Sequence, residues 1–313
     1  MRARLLITFL FFAFAARGLE REVARAFPVK SGAQLNVEFF RGAITVDESD
    51  GREINVAAHL EMKTESAAVA DRLEAALHLE ISADGNTVNV RAGDPVGRGV
   101  HLSLDDDPPV DVDLRIVVPR ECSVNLTTRD GSITVGNLAG RIVARTTTGN
   151  IFLKRIEGSI DARAQAGDVT ISRCSGEVAA STAKGSIRVG TVGGRAELKN
   201  TNGDIEVLAA RGGLKATADA GDVTVGFPRG VAGDANVRTG FGNVLAKIDP
   251  AANCLVDASS FWGHVQNTLP LTIESGGNGK GKLVGRLNRG GARLTFSANG
   301  GHVKIEPGET PFN

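Results

Sequence analysis

Hydrophobic and polar residues alternate with a period of two through the middle of this chain, and a glycine recurs every nine residues without an insertion. The repeating glycines are Gly131, Gly140, Gly149, Gly158, Gly167, Gly176, Gly185, Gly194, Gly203, Gly212, Gly221 and Gly230. Alternation with period two is typical of a half-buried strand. Each nine-residue unit therefore predicts one short strand and one turn.

Two positions of each unit are apolar and are expected to face inward. The second residue after the glycine is Ile133, Ile142, Ile151, Ile160, Val169, Val178, Ile187, Ala196, Ile205, Leu214, Val223 or Ala232. The fourth is Val135, Ala144, Leu153, Ala162, Ile171, Ala180, Val189, Leu198, Val207, Ala216 or Val225. Residues between these positions are mostly polar, such as Thr134, Asp161, Thr170, Arg188, Glu197, Glu206, Lys215 and Thr224. We expect this second set to face water.

A second period of eighteen residues is superimposed on the first. Alternate glycines, beginning at Gly131, are followed by Ser, Asn or Asp, and the fourth residue of those units is large. In the intervening units the fourth residue is alanine, with Leu198 as the exception. Large side chains opposite small ones fill a narrow interior, and glycine allows positive φ or close approach at each corner. The pattern predicts an all-β fold, a single-stranded β-solenoid (β-helix) with two walls and about 18 residues per coil.

The repeats divide the chain into four predicted segments: a signal peptide at 1–16, a β-rich N-terminal capping region at 17–120, regular nine-residue half-coils at 121–232 and irregular C-terminal coils at 233–313. The capping region is expected to cover the first hydrophobic rung of the stack. Its predicted strands are Phe27–Val29, Gln34–Phe39, Ala43–Val46, Ile54–Leu60, Leu77–Ile81, Thr87–Val90 and Val112–Val118. Helical spacing of apolar residues predicts one short helix at Glu65–Leu77.

The first sixteen residues have the pattern of a cleaved secretory signal. Arg2 and Arg4 precede an apolar run from Leu5 to Ala15, which ends in Ala13-Phe14-Ala15. The run is about half the length that spans a bilayer. We therefore predict a secreted, periplasmic or cell-surface protein that does not span the membrane after cleavage.

The composition of the chain disfavours two classes of partner, nucleic acids and sugars bound on aromatic side chains. The 313 residues carry 36 basic and 36 acidic side chains, whereas a nucleic-acid partner would require a basic face. Tyrosine is absent and Trp262 is the only tryptophan. This scarcity disfavours a sugar-binding face built on aromatic side chains.

Candidate metal and catalytic residues are few. The histidines His59, His78, His101, His264 and His302 have no ligand spacing, and Asp follows a regular glycine only at Asp168, Asp204 and Asp222. The acidic segment Asp105–Asp107, with Asp111 and Asp113, offers oxygen ligands of the kind calcium takes. A solvated turn before Pro108 is the favoured interpretation. We predict no catalytic, cofactor or metal site.

The chain has three cysteines, Cys122, Cys174 and Cys254. Cys174 occupies the seventh position of its unit, which elsewhere holds Leu138, Ile156, Ala183 and Val192. This position predicts a small buried apolar residue. A disulfide between Cys122 and Cys254 stays an open alternative, because pairing cannot be read from sequence.

Several motifs together resemble those of the bacterial putative-adhesin family of β-strand repeats. They are the signal peptide, the segments Phe27–Val29, Leu35–Val37 and Gly42–Val46, the lead-in Ile116–Pro119, and the tandem units of Thr or Ala, any residue, Gly, Asp/Asn/Ser and Ile/Val. The resemblance spans nearly the whole chain after the signal peptide. It implies a β-solenoid and supplies no established catalytic residues.

Two functions of different classes follow from these observations. The first is an exported, non-catalytic β-solenoid scaffold, an adhesin or cell-envelope interaction protein whose partner is an unidentified envelope protein or glycan. The alternative is a carbohydrate-active β-helix enzyme of the polysaccharide-lyase type. The outward residues mix Thr, Arg, Glu and Lys without a converging set of carboxylates. The non-enzymatic function is therefore favoured.

Overall fold

A computed structural model of the protein describes residues 19–93, 110–228 and 231–308. The chain divides into two units, Met1–Gly140 and Arg141–Asn313. Its described residues form two large, mostly parallel β-sheets with one α-helix, so the all-β prediction is confirmed. The predicted signal peptide and the acidic residues Asp105–Asp107 lie outside the described residues.

Nine strands and one helix make up the described part of the first unit. They are β1 (Leu19–Pro28), β2 (Gln34–Arg41), β3 (Ile44–Ser49), β4 (Glu53–Met62), α1 (Ala67–Leu77), β5 (Glu80–Asp84), β6 (Thr87–Arg91), β7 (Val110–Pro119), β8 (Ser123–Asp130) and β9 (Ile133–Val135). One sheet of this unit has the order β1-β4-β7-β3-β9, and the other has β8-β2-β6-β5. The pairs β1–β4, β4–β7 and β5–β6 are antiparallel, and the others are parallel.

Helix α1 packs its apolar side, Ala70, Leu73 and Leu77, into the first unit. Arg21 of β1 holds the helix through ion pairs to Asp71 and Glu74. The helix continues through Leu77, and His78 ends it with a left-handed φ of 46°. The strand predicted at Leu77–Ile81 therefore begins later, as β5.

The second unit contains eighteen strands among its described residues. They are β10 (Ile142–Thr148), β11 (Ile151–Ile156), β12 (Ile160–Ala166), β13 (Val169–Cys174), β14 (Val178–Lys184), β15 (Ile187–Val192), β16 (Ala196–Asn202), β17 (Ile205–Ala210), β18 (Leu214–Ala220), β19 (Val223–Phe227), β20 (Ala235–Phe241), β21 (Val244–Ile248), β22 (Cys254–Ser260), β23 (Val265–Asn267), β24 (Thr272–Gly276), β25 (Lys282–Leu287), β26 (Ala292–Ala298) and β27 (Val303–Pro307). From β10 to β21, successive strands alternate between the two sheets.

Parallel neighbours in this unit are eighteen residues apart through most of the repeat. Ile160 pairs with Val178 in one sheet, and Ile151 pairs with Val169 in the other. An insertion then breaks the interval, since Leu214 pairs with Ala235. Ala232, predicted to face inward, is exposed and precedes the strand. That assignment was wrong because the glycine count continued past the point where the chain leaves the repeat.

The last strands do not follow chain order. Strand β26 pairs with β20 on one side and β22 on the other, so the final pass of the chain lies between two earlier ones. In the second sheet β27 pairs in the same way with β21 and β23. Residues 59 positions apart thereby become neighbours, as Asn243 and His302 do.

The inward positions form the core of the second unit. Apart from Ala232, every predicted inward residue of both sets is buried, including those of the first unit. Cys174 is buried as predicted, although Ala183, in the same sequence position, is exposed. All three cysteines are free and buried, and burial raises the pKa of Cys122 to about 12 and that of Cys254 to about 11.

A row of stacked turns, here called the glycine row, joins the two sheets along one edge of the second unit. Its members are Gly149, Gly167, Gly185, Gly203, Gly221, Gly242, Gly301 and Gly263. The residue after each of several glycines accepts the next turn's backbone N–H. Asn150 Oδ1 accepts from Asp168 N, Asp168 Oδ1 from Ser186 N, and Asp222 Oδ1 from Asn243 N, all at 2.7–2.8 Å. These side chains bind neighbouring turns to each other.

Asp168 makes this ladder sensitive to acid. The hydrogen bond from Ser186 N, together with Arg188, holds the pKa of the Asp168 carboxyl below its ordinary value, although desolvation opposes the shift. A carboxyl with a lowered folded-state pKa stabilises the fold above its unfolded pKa of about 3.9. That contribution is lost as the pH falls further, through the folded-state pKa.

We expect Asp168→Asn to leave the melting temperature at pH 7 within about 2 °C, since asparagine already accepts the equivalent N–H at Asn150. Because the amide does not titrate, the variant should lose less stability than the original protein when the pH falls from about 5 to about 3. Melting temperatures across that range measure the difference. Parallel curves for the two proteins would contradict the role given to the carboxylate.

Candidate functional site

Three large aromatic side chains are exposed together at the C-terminal end of the glycine row. Trp262 is 80% exposed, Phe241 77% and Phe261 73%. Elsewhere on the described surface the large exposed apolar residues are Val69, Phe152, Leu208 and Ile273. We call Phe241, Phe261, Trp262 and the intervening Gly300 the aromatic corner.

The swapped order of the last strands creates the aromatic corner. Thr239 and Ser260 both pair with Ala298, from opposite sides of β26. The ladder continues into the turn, where Gly300 N donates to Gly240 O at 2.8 Å and Trp262 N donates to Asn299 O at 3.1 Å. Phe241 ends β20, and Gly300 and Trp262 lie in the turns that follow β26 and β22, so the three residues occupy equivalent positions in neighbouring passes of the chain.

Gly300 lies between Phe241 and Trp262 in this register. Its own position lacks a side chain, and Phe241 Cδ1 lies 3.2 Å from the place that a Cβ would take. On the other side, Phe261 and Trp262 contact each other edge to face, with ring centroids 5.0 Å apart at 89°. Ser260 Oγ fixes this turn by donating to Gly301 O at 2.6 Å and accepting from Gly263 N at 2.8 Å.

Polar side chains adjoin the aromatic corner. The rings of His264 and His302 lie 4.1 Å apart, and His302 Nδ1 accepts the His264 backbone N–H at 3.2 Å. A neutral His302 ring in this arrangement carries its hydrogen on Nε2. The sequence suggested scattered histidines, whereas the fold brings these two into contact.

Two carboxylates on the outward face each lie between two basic side chains. Asp161 accepts from Arg145 at 3.2 Å and from Arg163 at 2.9 Å. Glu197 likewise lies between Lys199 and Lys215, at 2.9 and 3.3 Å.

Two of the acidic residues considered above as calcium ligands, Asp111 and Asp113, lie within the described residues, and both contact other groups of the protein. Asp111 contacts Arg41 at 3.4 Å and Lys63 at 3.2 Å, and Asp113 Oδ1 accepts from Ala43 N at 3.0 Å. Within residues 19–93, 110–228 and 231–308, no group of three or more His, Cys, Asp or Glu is arranged to hold a metal ion. No helix in those ranges is long and apolar enough to cross a membrane.

The sequence contained a signal for this corner that composition obscured. The residue before a glycine of the row is Thr148, Ala166, Lys184, Asn202 or Ala220 in the regular part, and then Phe241 and Trp262. Two aromatic residues at a solvent-facing turn position are therefore visible in the pattern. The pattern does not show that these two residues lie close together, because their proximity depends on strand β26, which pairs out of chain order.

Comparison with known proteins gives structural likeness alone. No protein-family model matches the sequence, and no curated protein does. A solved structure from Parabacteroides distasonis, described as a putative adhesin, matches at TM-score 0.50 and 11% identity, covering 91% of this chain and 97% of that one. A solved structure from Bacteroides fragilis, described as a putative adhesin, matches at TM-score 0.45 and 13% identity. The match covers 91% of this chain and 97% of that one. A solved structure from P. distasonis, described as a putative lipid binding protein, matches at TM-score 0.47 and 11% identity. The match covers 91% of this chain and 96% of that one.

The description of the P. distasonis protein with TM-score 0.50, a putative adhesin, agrees with the resemblance seen in the sequence. At 11% identity, the likeness to the P. distasonis protein with TM-score 0.50 shows a shared fold.

Proposed function

We propose that this protein is an exported, non-catalytic β-solenoid that binds a component of the cell envelope through its aromatic corner. The observation that carries the proposal is the exposure of Phe241, Phe261 and Trp262 at one place. The eighteen-residue register of both sheets and the alternation of strands between them support a solenoid. The description of the P. distasonis neighbour with TM-score 0.50 as a putative adhesin supports an adhesin-like role.

The exposed rings are costly to the isolated protein and valuable in a complex. An aromatic side chain buries about 150–250 Å², which corresponds to about 4–6 kcal/mol of transfer free energy per residue. Ordering and desolvation on association offset much of this gain. Even so, clustered aromatic residues are the usual energetic centres of binding surfaces.

The rest of the second unit serves as a rigid support in this proposal. Parallel strands with buried inward residues hold the corner, and Ser260 fixes the turn that carries Trp262. Sites on regular elements keep their geometry better than sites on loops. Export, predicted from residues 1–16, would place this surface outside the cytoplasm, where envelope glycans and proteins are accessible.

We expect the mature chain, from Arg17, to retain material from its own cell-envelope fraction on a column. The double variant Phe241→Ala/Trp262→Ala should retain at least about tenfold less, because the apolar contact area is lost. Leu208→Ala is the matched control, since Leu208 is 61% exposed on a strand away from the corner. Both variants should melt within a few degrees of the original protein.

Retention that is unchanged in the double variant would exclude the aromatic corner as the binding surface. The proposal that the protein is not an enzyme is tested by incubating the same protein with acidic polysaccharides. Release of unsaturated sugars would instead favour the lyase alternative.

A further inference from the structure

We infer that β1 binds an extended peptide as an additional strand at the outer edge of its sheet, beside helix α1. The inference concerns the first unit and does not depend on the aromatic corner. Among the described strands, β1 (Leu19–Pro28) ends its sheet and pairs with β4 alone. It has ten residues, whereas the other three terminal strands, β5, β23 and β24, have three to five. A long strand edge without a partner is a template for strand addition.

The backbone groups along the outer edge of β1 favour another strand as the partner. Val29 N donates to Arg52 O at 2.9 Å, and this bond fixes the alternation of the antiparallel β1–β4 ladder. Odd-numbered residues of β1 bond to β4, so the N–H and C=O groups of the even-numbered residues point to the outer edge. No described residue makes a hydrogen bond to these edge groups, which belong to Glu20, Glu22, Ala24 and Ala26. Donors and acceptors at every second residue match an extended peptide backbone.

A groove beside this edge can accept side chains of the added strand. It has a volume of about 510 Å³ and lies between β1 and the segment formed by α1 and the two residues that follow it. Five consecutive residues of β1, 21–25, line the groove, so it follows the strand. Its apolar lining comprises Val23, Leu60, Ala75 and Leu79, together with Ala24. The volume is within the usual range for ligand sites, and an apolar side chain next to Val23 would contact this lining.

The charges of β1 select the sequence of the peptide. Arg25 lines the groove, where its Nη1 donates to Ile81 O at 2.7 Å, and it has no carboxylate partner among the described residues. Glu20 and Glu22 alternate with it on the outward face, and neither has a basic partner in the described part of the chain. Opposite charges on directly opposed strand residues stabilise the pairing. The complementary peptide is therefore acidic opposite Arg25 and basic opposite the two glutamates.

The same charges disfavour a second copy of β1 as the occupant. Two β1 strands related by a two-fold axis would pair in antiparallel register about a central residue. A centre at Val23 places Arg21 opposite Arg25, and a centre at any charged residue places that residue opposite itself. A centre at Ala24 leaves each charge opposite an uncharged residue. Like charges directly opposite each other destabilise a strand pair, so a peptide of different sequence fits this edge better.

The probe is an eight-residue peptide, acetylated and amidated at its ends, that would lie antiparallel to residues 19–26. Its sequence is Thr-Glu-Thr-Val-Lys-Thr-Lys-Val. Glu then lies opposite Arg25, the first Val opposite Val23, and the two Lys opposite Glu22 and Glu20. In the mature chain we expect the backbone amides of the even-numbered β1 residues to exchange hydrogen rapidly. A saturating concentration of the peptide should slow this exchange at least about tenfold.

Methylation of the peptide backbone separates strand addition from binding by side chains alone. Methyl groups on the third and fifth peptide nitrogens would face β1 and remove two of its hydrogen bonds. We expect them to weaken binding, measured by fluorescence anisotropy of a labelled peptide, at least about tenfold. Methyl groups on the fourth and sixth nitrogens would face away from β1. That matched peptide should bind within about twofold of the original.

Ala24→Pro tests the same edge from the protein side. Proline removes an N–H that points away from β4, and edge strands tolerate this loss. The variant should melt within a few degrees of the original protein and bind the peptide at least about tenfold more weakly. Ala24→Val keeps the N–H and is the matched control. Arg25→Glu should also weaken binding, and it should recover when Lys replaces Glu in the peptide.

Each of the following results would overturn the inference. Slow exchange of the even-numbered β1 amides in the free protein at every concentration would show that the chain itself covers this edge. Protection that rises with protein concentration alone would identify a second copy as the occupant. The absence of saturable peptide binding, or binding that survives methylation of the third and fifth nitrogens, would exclude strand addition.

Discussion

Ile171→Asp is expected to destabilise the second unit by at least about 4 kcal/mol, the largest loss among the substitutions considered. Ile171 is fully buried between the sheets, and its neighbours in register are Leu153 and Val189. A carboxyl group there must either stay charged without a partner or become protonated, and both cost free energy. The buried contacts of the isoleucine side chain are lost as well.

Thr170→Asp is the matched control, one residue away on the same strand. Thr170 faces outward next to Arg188, so a carboxylate there remains hydrated and should change stability by less than about 1 kcal/mol. Thermal and urea unfolding of the two variants measure the difference. Equal losses would show that the inward and outward faces of β13 were assigned wrongly.

Gly203→Ala is expected to destabilise the protein nearly as much as Ile171→Asp, although it adds only one carbon atom. Gly203 has a φ of +130°, which side chains of L-residues rarely adopt, and an added Cβ would overlap the carbonyl oxygen of Gly185 in the adjacent turn. Backbone strain and overlap of this kind cost about 3–4 kcal/mol. For a chain of this size the melting temperature should fall by about 10 °C.

The control for this variant is Gly277→Ala in the β24–β25 hairpin. At Gly277 the nearest atom to an added Cβ is Lys280 Cδ, 3.9 Å away, and φ is not in the left-handed region. Gly279, in the same hairpin, is unsuitable because its φ is +77° even though no atom crowds it. Limited proteolysis adds a second measurement, since Gly203→Ala should expose a cleavage site near β16 and β17 while distant strands persist. Similar melting temperatures and cleavage patterns for both variants would mean that the glycine row is not a structural requirement.

The sequence by itself determined the local structure of the repeat. The nine-residue glycine interval and the alternation of apolar and polar residues identified the strands, their inward faces and the burial of Cys174. It did so because these features depend on neighbouring residues and on contacts repeated at a constant interval. The same regularity predicted parallel pairing eighteen residues apart, as for Ile160 with Val178.

The order of the C-terminal strands was decided only by the tertiary structure. Strand β26 enters between β20 and β22, and no periodic signal in the sequence specifies that position. Several strands have similar hydrophobic patterns, so the local pattern does not specify which of them pair. The pairing is decided by contacts between residues far apart in the sequence. This insertion brings Gly300 between Phe241 and Trp262 and His302 against His264, so the candidate binding surface exists only in the folded chain.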